Sequence, residues 1–170
     1  MENEQHFETG KIALWIGTGC IVLVIGMVLG CVSSIGGLLW LTRAPQNVAV
    51  SVDAPIQLEA GDKAEFVVNV TNHNEDMIRI KGIDIGADYL HGITIVSVTP
   101  DYENYFPPDE TIFGEAFQNY YFSIPIEPGD TVSVTFSGKT IASGDFGGSV
   151  EICIDSDFSC ISKVIRTVVK

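Results

Sequence analysis

Hydrophobic and polar positions change rhythm once along this chain. Over residues 12–42 there is no alternation at all: 31 consecutive positions carry no Asp, Glu, Lys or Arg. A hydrocarbon core about 30 Å thick is crossed by roughly 20 apolar residues in a helix. The run 12–42 therefore predicts one transmembrane helix, bracketed by Lys11 and Arg43. Trp15 and Trp40, the chain's two tryptophans, stand 25 residues apart near the ends of the run. At helical rise that is about 37 Å, which sets both indoles at the membrane interfaces. Membrane lipid is thus an expected partner. Gly26, Gly30 and Ser34 recur at four-residue spacing within the run, a pattern that lets helix backbones approach; self-association, plain lipid exposure and packing on a different partner all fit it. Cleavage competes with an uncleaved anchor. A start holding Glu2, Glu4 and Glu8 is a poor leader, however, and the lipobox-like Val28-Leu29-Gly30-Cys31 continues into apolar sequence as far as Trp40.

Beyond residue 46 the rhythm becomes a period of two. Phe66, Val68 and Val70 are in phase, as are Val132, Val134 and Phe136, and Val150, Ile152 and Ile154, with polar residues between most of them. Alternation of this kind marks half-buried strands. Turn residues separate the runs at Glu59–Asp62, Asn72–Asp76, His91–Gly92, Glu127–Asp130, Ser143–Asp145 and Gly147–Gly148. Eight strands are predicted, over 47–53, 63–71, 78–85, 93–98, 116–124, 131–138, 148–154 and 160–169, and no stretch shows a helical period. The organisation expected is a cytoplasmic tail (1–11), a transmembrane helix (12–42), a linker (43–46) and an all-β antiparallel Ig-like sandwich (47–170).

Four segments carry a resemblance: Phe66-Val-Val-Asn-Val-Thr-Asn72, Leu90-His-Gly-Ile-Thr-Ile-Val-Ser-Val-Thr-Pro100, Ile126-Glu-Pro-Gly-Asp-Thr-Val-Ser-Val-Thr-Phe136 and Gly144-Asp-Phe-Gly-Gly-Ser-Val-Glu-Ile-Cys-Ile154. Together they resemble the Ig-like domains of bacterial surface and adhesion proteins, the conserved-repeat and CARDB-type group, over roughly 60–155. The resemblance implies a sandwich fold and no activity. Such domains often occur in tandem; this chain shows one.

Composition narrows the function classes. A net charge of -13 opposes nucleic-acid binding, which needs clustered Lys and Arg. No GxSxG, HExxH, GxGxxG or Walker pattern is present, and His6, His73 and His91 are isolated. The expectation is a non-enzyme with no cofactor, no metal site and no catalytic residue. Asp155, Asp157, Asp109 and Glu110 read as solvated turn acids rather than calcium ligands. Asn69-Val-Thr71 is a glycosylation sequon within a predicted strand.

Two features remain as candidate chemistry. Cys153 and Cys160 flank a short turn; with Ser156-Asp157 at its apex they face each other across a hairpin, within disulfide reach. A bridge or two reduced thiols both fit the spacing. A bridge would place the domain on the oxidising side of the membrane, with the N-terminus cytoplasmic. The second feature is residues 101–122, which hold eight of the chain's 16 aromatics. Phe117, Tyr121 and one of their neighbours read as strand core. Tyr102, Tyr105 and Phe106, ahead of Pro107-Pro108, fall in a long loop that either caps the sandwich or presents a surface to a protein partner. The function expected is a single-pass membrane protein displaying an extracytoplasmic domain for binding, adhesion or scaffolding in the cell envelope. The alternative is an accessory subunit of a larger membrane or surface-filament complex, assembled through the helix.

Overall fold

The computed structural model describes residues 44–108 and 116–170. The expected helix over 12–42, with Trp15, Trp40, Gly26, Gly30 and Ser34, lies outside the described residues, as do Asp109 and Glu110. Among the described residues no helix is long and apolar enough to cross a membrane.

Among the described residues ten strands form, in the order β1 (Val48–Asp53), β2 (Gln57–Leu58), β3 (Lys63–Asn72), β4 (Ile78–Gly86), then the one-turn helix α1 (Ala87–Leu90), β5 (Ile93–Thr99), β6 (Asn104–Phe106), β7 (Phe117–Ile126), β8 (Thr131–Thr140), β9 (Gly144–Ile154) and β10 (Cys160–Val169). They build a four-stranded sheet, β1-β3-β8-β5, and a six-stranded sheet, β2-β10-β9-β4-β7-β6. Every pairing is antiparallel except the short parallel contact of β2 with β10.

The alternation explains how the sheets close on each other. On β3 and β8 the in-phase residues Phe66, Val68, Val70, Val134 and Phe136 are buried, while Glu65, Ser133 and Ser137 stay on the outer face. The facing sheet contributes Ile80, Ile83, Ile85, Val150, Ile152, Ile154 and Ile165 to the same core. Burying each of these large side chains contributes roughly 1.5–3 kcal/mol. Phe66 and Phe136 are cross-strand partners and stack at 4.8 Å. Tyr120, from the other sheet, meets Phe136 edge-on at 5.2 Å, and Tyr89 of α1 meets Phe66 edge-on at 6.0 Å. These ring contacts tie the two sheets together.

On one lateral side the chain between β1 and β3 is hydrogen-bonded along β10. Segment 55–60 runs along β10: Thr167 Oγ1 donates to the Pro55 carbonyl at 2.6 Å, and the Val168 and Lys170 amides donate to Ile56 and Leu58 carbonyls at 2.9 and 3.0 Å. The Tyr89 hydroxyl joins Thr167 at 3.0 Å, so a buried phenol is satisfied on that same side.

Three expectations need correction. The count of eight strands becomes ten, because β2 and β6 are two and three residues long, too short to show a period. Gly147–Gly148 is not a turn but lies inside β9, which begins at Gly144. A Cβ at Gly148 would sit 3.0 Å from the Tyr89 Cβ, so glycine serves close packing against α1 there. Phe117 and Tyr121 are not core: Tyr120 and Phe122 turn inward, each 3% exposed, while Phe117 and Tyr121 are half-buried. Three consecutive aromatics, Tyr120-Tyr121-Phe122, carry no alternation from which the phase could be read.

Candidate functional site: a tyrosine groove between two edge strands

The opposite lateral side is built from β5, the terminal strand of the four-stranded sheet, and β6, the terminal strand of the six-stranded one. The chain leaves β5 through the cis Thr99–Pro100 peptide and crosses to the other sheet. The Glu103 amide donates to the Tyr121 carbonyl at 2.8 Å, and Asn104, Tyr105 and Phe106 then pair with Tyr121, Tyr120 and Asn119 of β7. The predicted loop is thus partly an edge strand, and this corrects the loop assignment of Tyr105 and Phe106. Tyr102 precedes it. Pairing fixes where the rings go. Tyr105 shares a face with Tyr120, and Phe106 falls on the other, where it meets Tyr121 edge-on at 5.7 Å.

Tyr102, Tyr105 and Tyr120 form a cluster with ring centroids 5.3–6.2 Å apart. Tyr120 is buried beneath the other two, which remain 42% and 38% exposed. The cluster forms one wall of an open groove of about 670 Å³; Gln118 and Asp101 extend that wall, and Ile95, Val96, Ser97 and Val98 of β5 form the other. The pairing of β5 with β8 shifts between Ile95 and Ser97, which turns Val96 outward to 68% exposure. Gly138, opposite Ile95, makes this irregularity possible: a Cβ there would lie 2.3 Å from the Thr94 carbonyl oxygen. The groove therefore combines exposed aromatic and aliphatic surface with phenol, amide, hydroxyl and carboxylate groups. That is the composition of a recognition surface.

Burial pushes the Tyr120 phenol up to about 12, opposed by the Gln118 side chain, whose amide nitrogen donates to its oxygen. Tyr120 is therefore a neutral, anchored ring over the ordinary pH range. Among the described residues that line the groove Asp101 is the acidic side chain, and none is basic.

On the outer face of the six-stranded sheet, Glu151, Asp84, Asn119 and Phe106 are successive cross-strand partners on β9, β4, β7 and β6. Burial, followed by the charges of Glu151 and Asp157, raises the Asp84 carboxyl to about 6; a hydrogen bond with Asn119 opposes the rise. Burial and the charges of Asp84 and Asp157 also raise the Tyr121 phenol. Among the described residues no group of three or more His, Cys, Asp or Glu is arranged to hold a metal ion.

The remaining predicted residues lie apart from the groove. Cys153 and Cys160 are directly opposed on β9 and β10 and are joined, with S–S 2.00 Å and Cα–Cα 4.0 Å. Asp155 is a structural turn residue: its carboxylate accepts from the Arg79 amide at 2.8 Å, at a φ of 60°. Asn69 is half-buried on the outer face of β3, its amide nitrogen donating to Asp53 at 3.1 Å and its oxygen accepting from the Ser133 hydroxyl at 2.7 Å. Sequence reasoning missed Gln118, Tyr120 and the β5 wall. The aromatic density of 101–122 pointed to the region but not to which rings converge.

No family model matches the chain. No curated protein matches it either. Solved structures similar to it include a candidate membrane anchored protein from Corynebacterium diphtheriae (10% identity, 75% of this chain and 37% of that one, TM-score 0.45). They also include the VesB protease of Vibrio cholerae (12%, 77% and 34%, 0.40) and a cohesin module of a Clostridium perfringens family 33 glycoside hydrolase (14%, 73% and 97%, 0.38). The chain spans about a third of the length of the first two. What holds for this chain is the coarse class, a two-sheet β-sandwich.

Proposed function

We propose that this chain is a non-enzymatic, single-pass membrane protein whose β-sandwich is displayed outside the cytoplasm and binds a protein partner through the Tyr102–Tyr105–Tyr120 groove. The observation that carries the reading is the pair of tyrosines that lie over the buried Tyr120 at a sheet edge and still remain 42% and 38% exposed. The uncharged run 12–42 supports the anchor. The cross-strand Cys153–Cys160 bridge supports the oxidising side of the membrane. The relation to conserved-repeat and CARDB-type domains belongs to the same proposal and rests on the four sequence segments.

Protease treatment of intact cells expressing the full chain tests the display. Digestion of an epitope placed after Lys170, with the N-terminal tail protected, is the expected result. Protection of the epitope until the membrane is breached would reverse the orientation. The small residues Gly26, Gly30 and Ser34 favour a second reading, an accessory subunit assembled through its helix. A fixed stoichiometry of co-purifying membrane subunits in detergent, lost in Gly26→Leu/Gly30→Leu, would favour it over simple display.

A further inference from the structure

We infer that the occupant of the groove is an extended polypeptide segment presenting arginine or lysine side chains, held by the exposed tyrosine faces and Asp101. The inference rests on reading the groove as the binding site and adds the chemistry of its ligand.

Three observations converge. The first is charge. Asp101 lies in the groove, Glu103 follows two positions on, and none of the described lining residues is basic. Residues 44–170 carry 19 acidic against seven basic side chains, so the field around the groove draws cations and repels anions. The second is ring geometry. Tyr102 and Tyr105 are held at their inner edges by Tyr120, at 5.3 Å each, and keep outward surface open. The electron-rich face of a phenol attracts guanidinium or ammonium groups. Because Tyr120 is itself fixed against Phe136, the platform is preorganised and loses little freedom on binding.

The third is the backbone. Both strands flanking the groove are terminal in their sheets, so each offers main-chain amides and carbonyls along an edge. A peptide can answer those groups as a short added strand, whereas a sugar cannot answer them in register. The irregularity at Val96 and the three-residue length of β6 limit that pairing to a few residues. Selectivity then falls to the side chains in the groove, which is where the tyrosines and Asp101 stand.

The test uses the full chain in detergent micelles and a dye-labelled hexapeptide of alternating arginine and valine, followed by fluorescence anisotropy. Expected are saturable binding that weakens at least about fivefold between 50 and 300 mM salt, and a loss of about tenfold in both Asp101→Asn and Tyr102→Ala. Tyr102→Phe, which keeps the ring face, should stay within about twofold of the parent. Asp88→Asn removes an equal charge from α1, outside the groove, and should also stay within about twofold. Asp101 is exposed and packs in no core, so its arm decides the matter even if Tyr102→Ala lowers stability. Equal losses in Asp88→Asn and Asp101→Asn would mean diffuse attraction to an acidic protein and would overturn the inference together with the groove reading. Competition by a neutral oligosaccharide such as chitohexaose, with binding lost in Tyr102→Phe, would overturn the peptide assignment but keep the groove. A concentration-dependent dimer abolished by Tyr102→Ala would assign the groove to a second copy and overturn the inference.

Discussion

The two lateral sides of this sandwich solve the same problem in opposite ways. Each must end two sheets, and each has backbone groups to dispose of. On the β1/β2 side the chain lays segment 55–60 along β10, and Thr167 satisfies both the Pro55 carbonyl and the Tyr89 phenol. On the β5/β6 side the ends are a strand with an irregularity at Val96 and a strand of three residues, with tyrosines standing between them. An unprotected edge invites uncontrolled pairing, and short or bulged strands restrain it. On the first side the flank of β10 is covered by hydrogen bonds, which reads as stability. The second is guarded but left open, and reads as recognition.

If that contrast is right, damage to the first side should cost the most stability. Thr167→Val keeps the shape and deletes the hydroxyl, stranding a carbonyl and a buried phenol. A loss of about 2–3 kcal/mol is expected in urea unfolding. A loss under about 0.5 kcal/mol would show that the segment 55–60 is not held as described.

Gly138→Ala probes the join between fold and groove. Its methyl group would collide with the Thr94 carbonyl oxygen, so β5 must move. The expected cost is about 1–3 kcal/mol, with weaker binding of the arginine peptide; an unchanged melting midpoint would mean that β5 yields without strain.

Asp84 sits between the two sides, on a central strand of the larger sheet. Its folded carboxyl titrates near 6, above the ordinary value of 3.8, because burial and neighbouring acids disfavour the charge. The folded state therefore holds a proton that the unfolded chain has released, and stability falls as pH rises from about 4 to 6. The penalty is present in full above that window. Partial exposure reduces it to about 1 kcal/mol. Asp84→Asn should gain that amount at pH 7 and flatten the pH profile between 4 and 7; an unaltered profile would remove Asp84 as its source.

The smallest effect belongs to the open side. Tyr102→Ser with Tyr105→Ser should cost under about 1 kcal/mol in thermal unfolding while abolishing peptide binding. A fall of several kcal/mol would make the two rings part of the core, and the contrast between the sides would dissolve.

Much of the fold could be read from alternation. β3 and β8 show two-residue phasing because one face of each meets a single core and the other is left to water. The hairpin register that sets residue 153 opposite residue 160 follows from the length of the turn between them. What could not be read had physical reasons. β2 and β6 are shorter than one period and exist because neighbouring strands supply their partners. Gly147 and Gly148 looked like a turn, but the requirement that acts on Gly148 is the proximity of Tyr89, a residue 59 positions away. The site was half legible for the same reason. Aromatic density marked Tyr102 and Tyr105, whereas the β5 wall reaches the groove through sheet order, which no local pattern encodes. Phe106 was grouped with them by proximity in sequence, and strand pleating sends it to the other face.

The placement of the tyrosines also gives the domain a built-in optical reporter. Residues 44–170 contain all five tyrosines of the chain and neither tryptophan. Four of the five, at positions 102, 105, 120 and 121, lie on β7 or on the segment containing β6, in or beside the groove. Near-ultraviolet absorption, circular dichroism and emission from this domain are therefore dominated by one small region. Rings 5–6 Å apart exchange excitation, so a ligand that wedges into the groove or quenches one phenol is felt by its neighbours. A spectral titration of the domain would consequently follow events at that edge, while Tyr89, held on the far side against Thr167, supplies a nearly constant background.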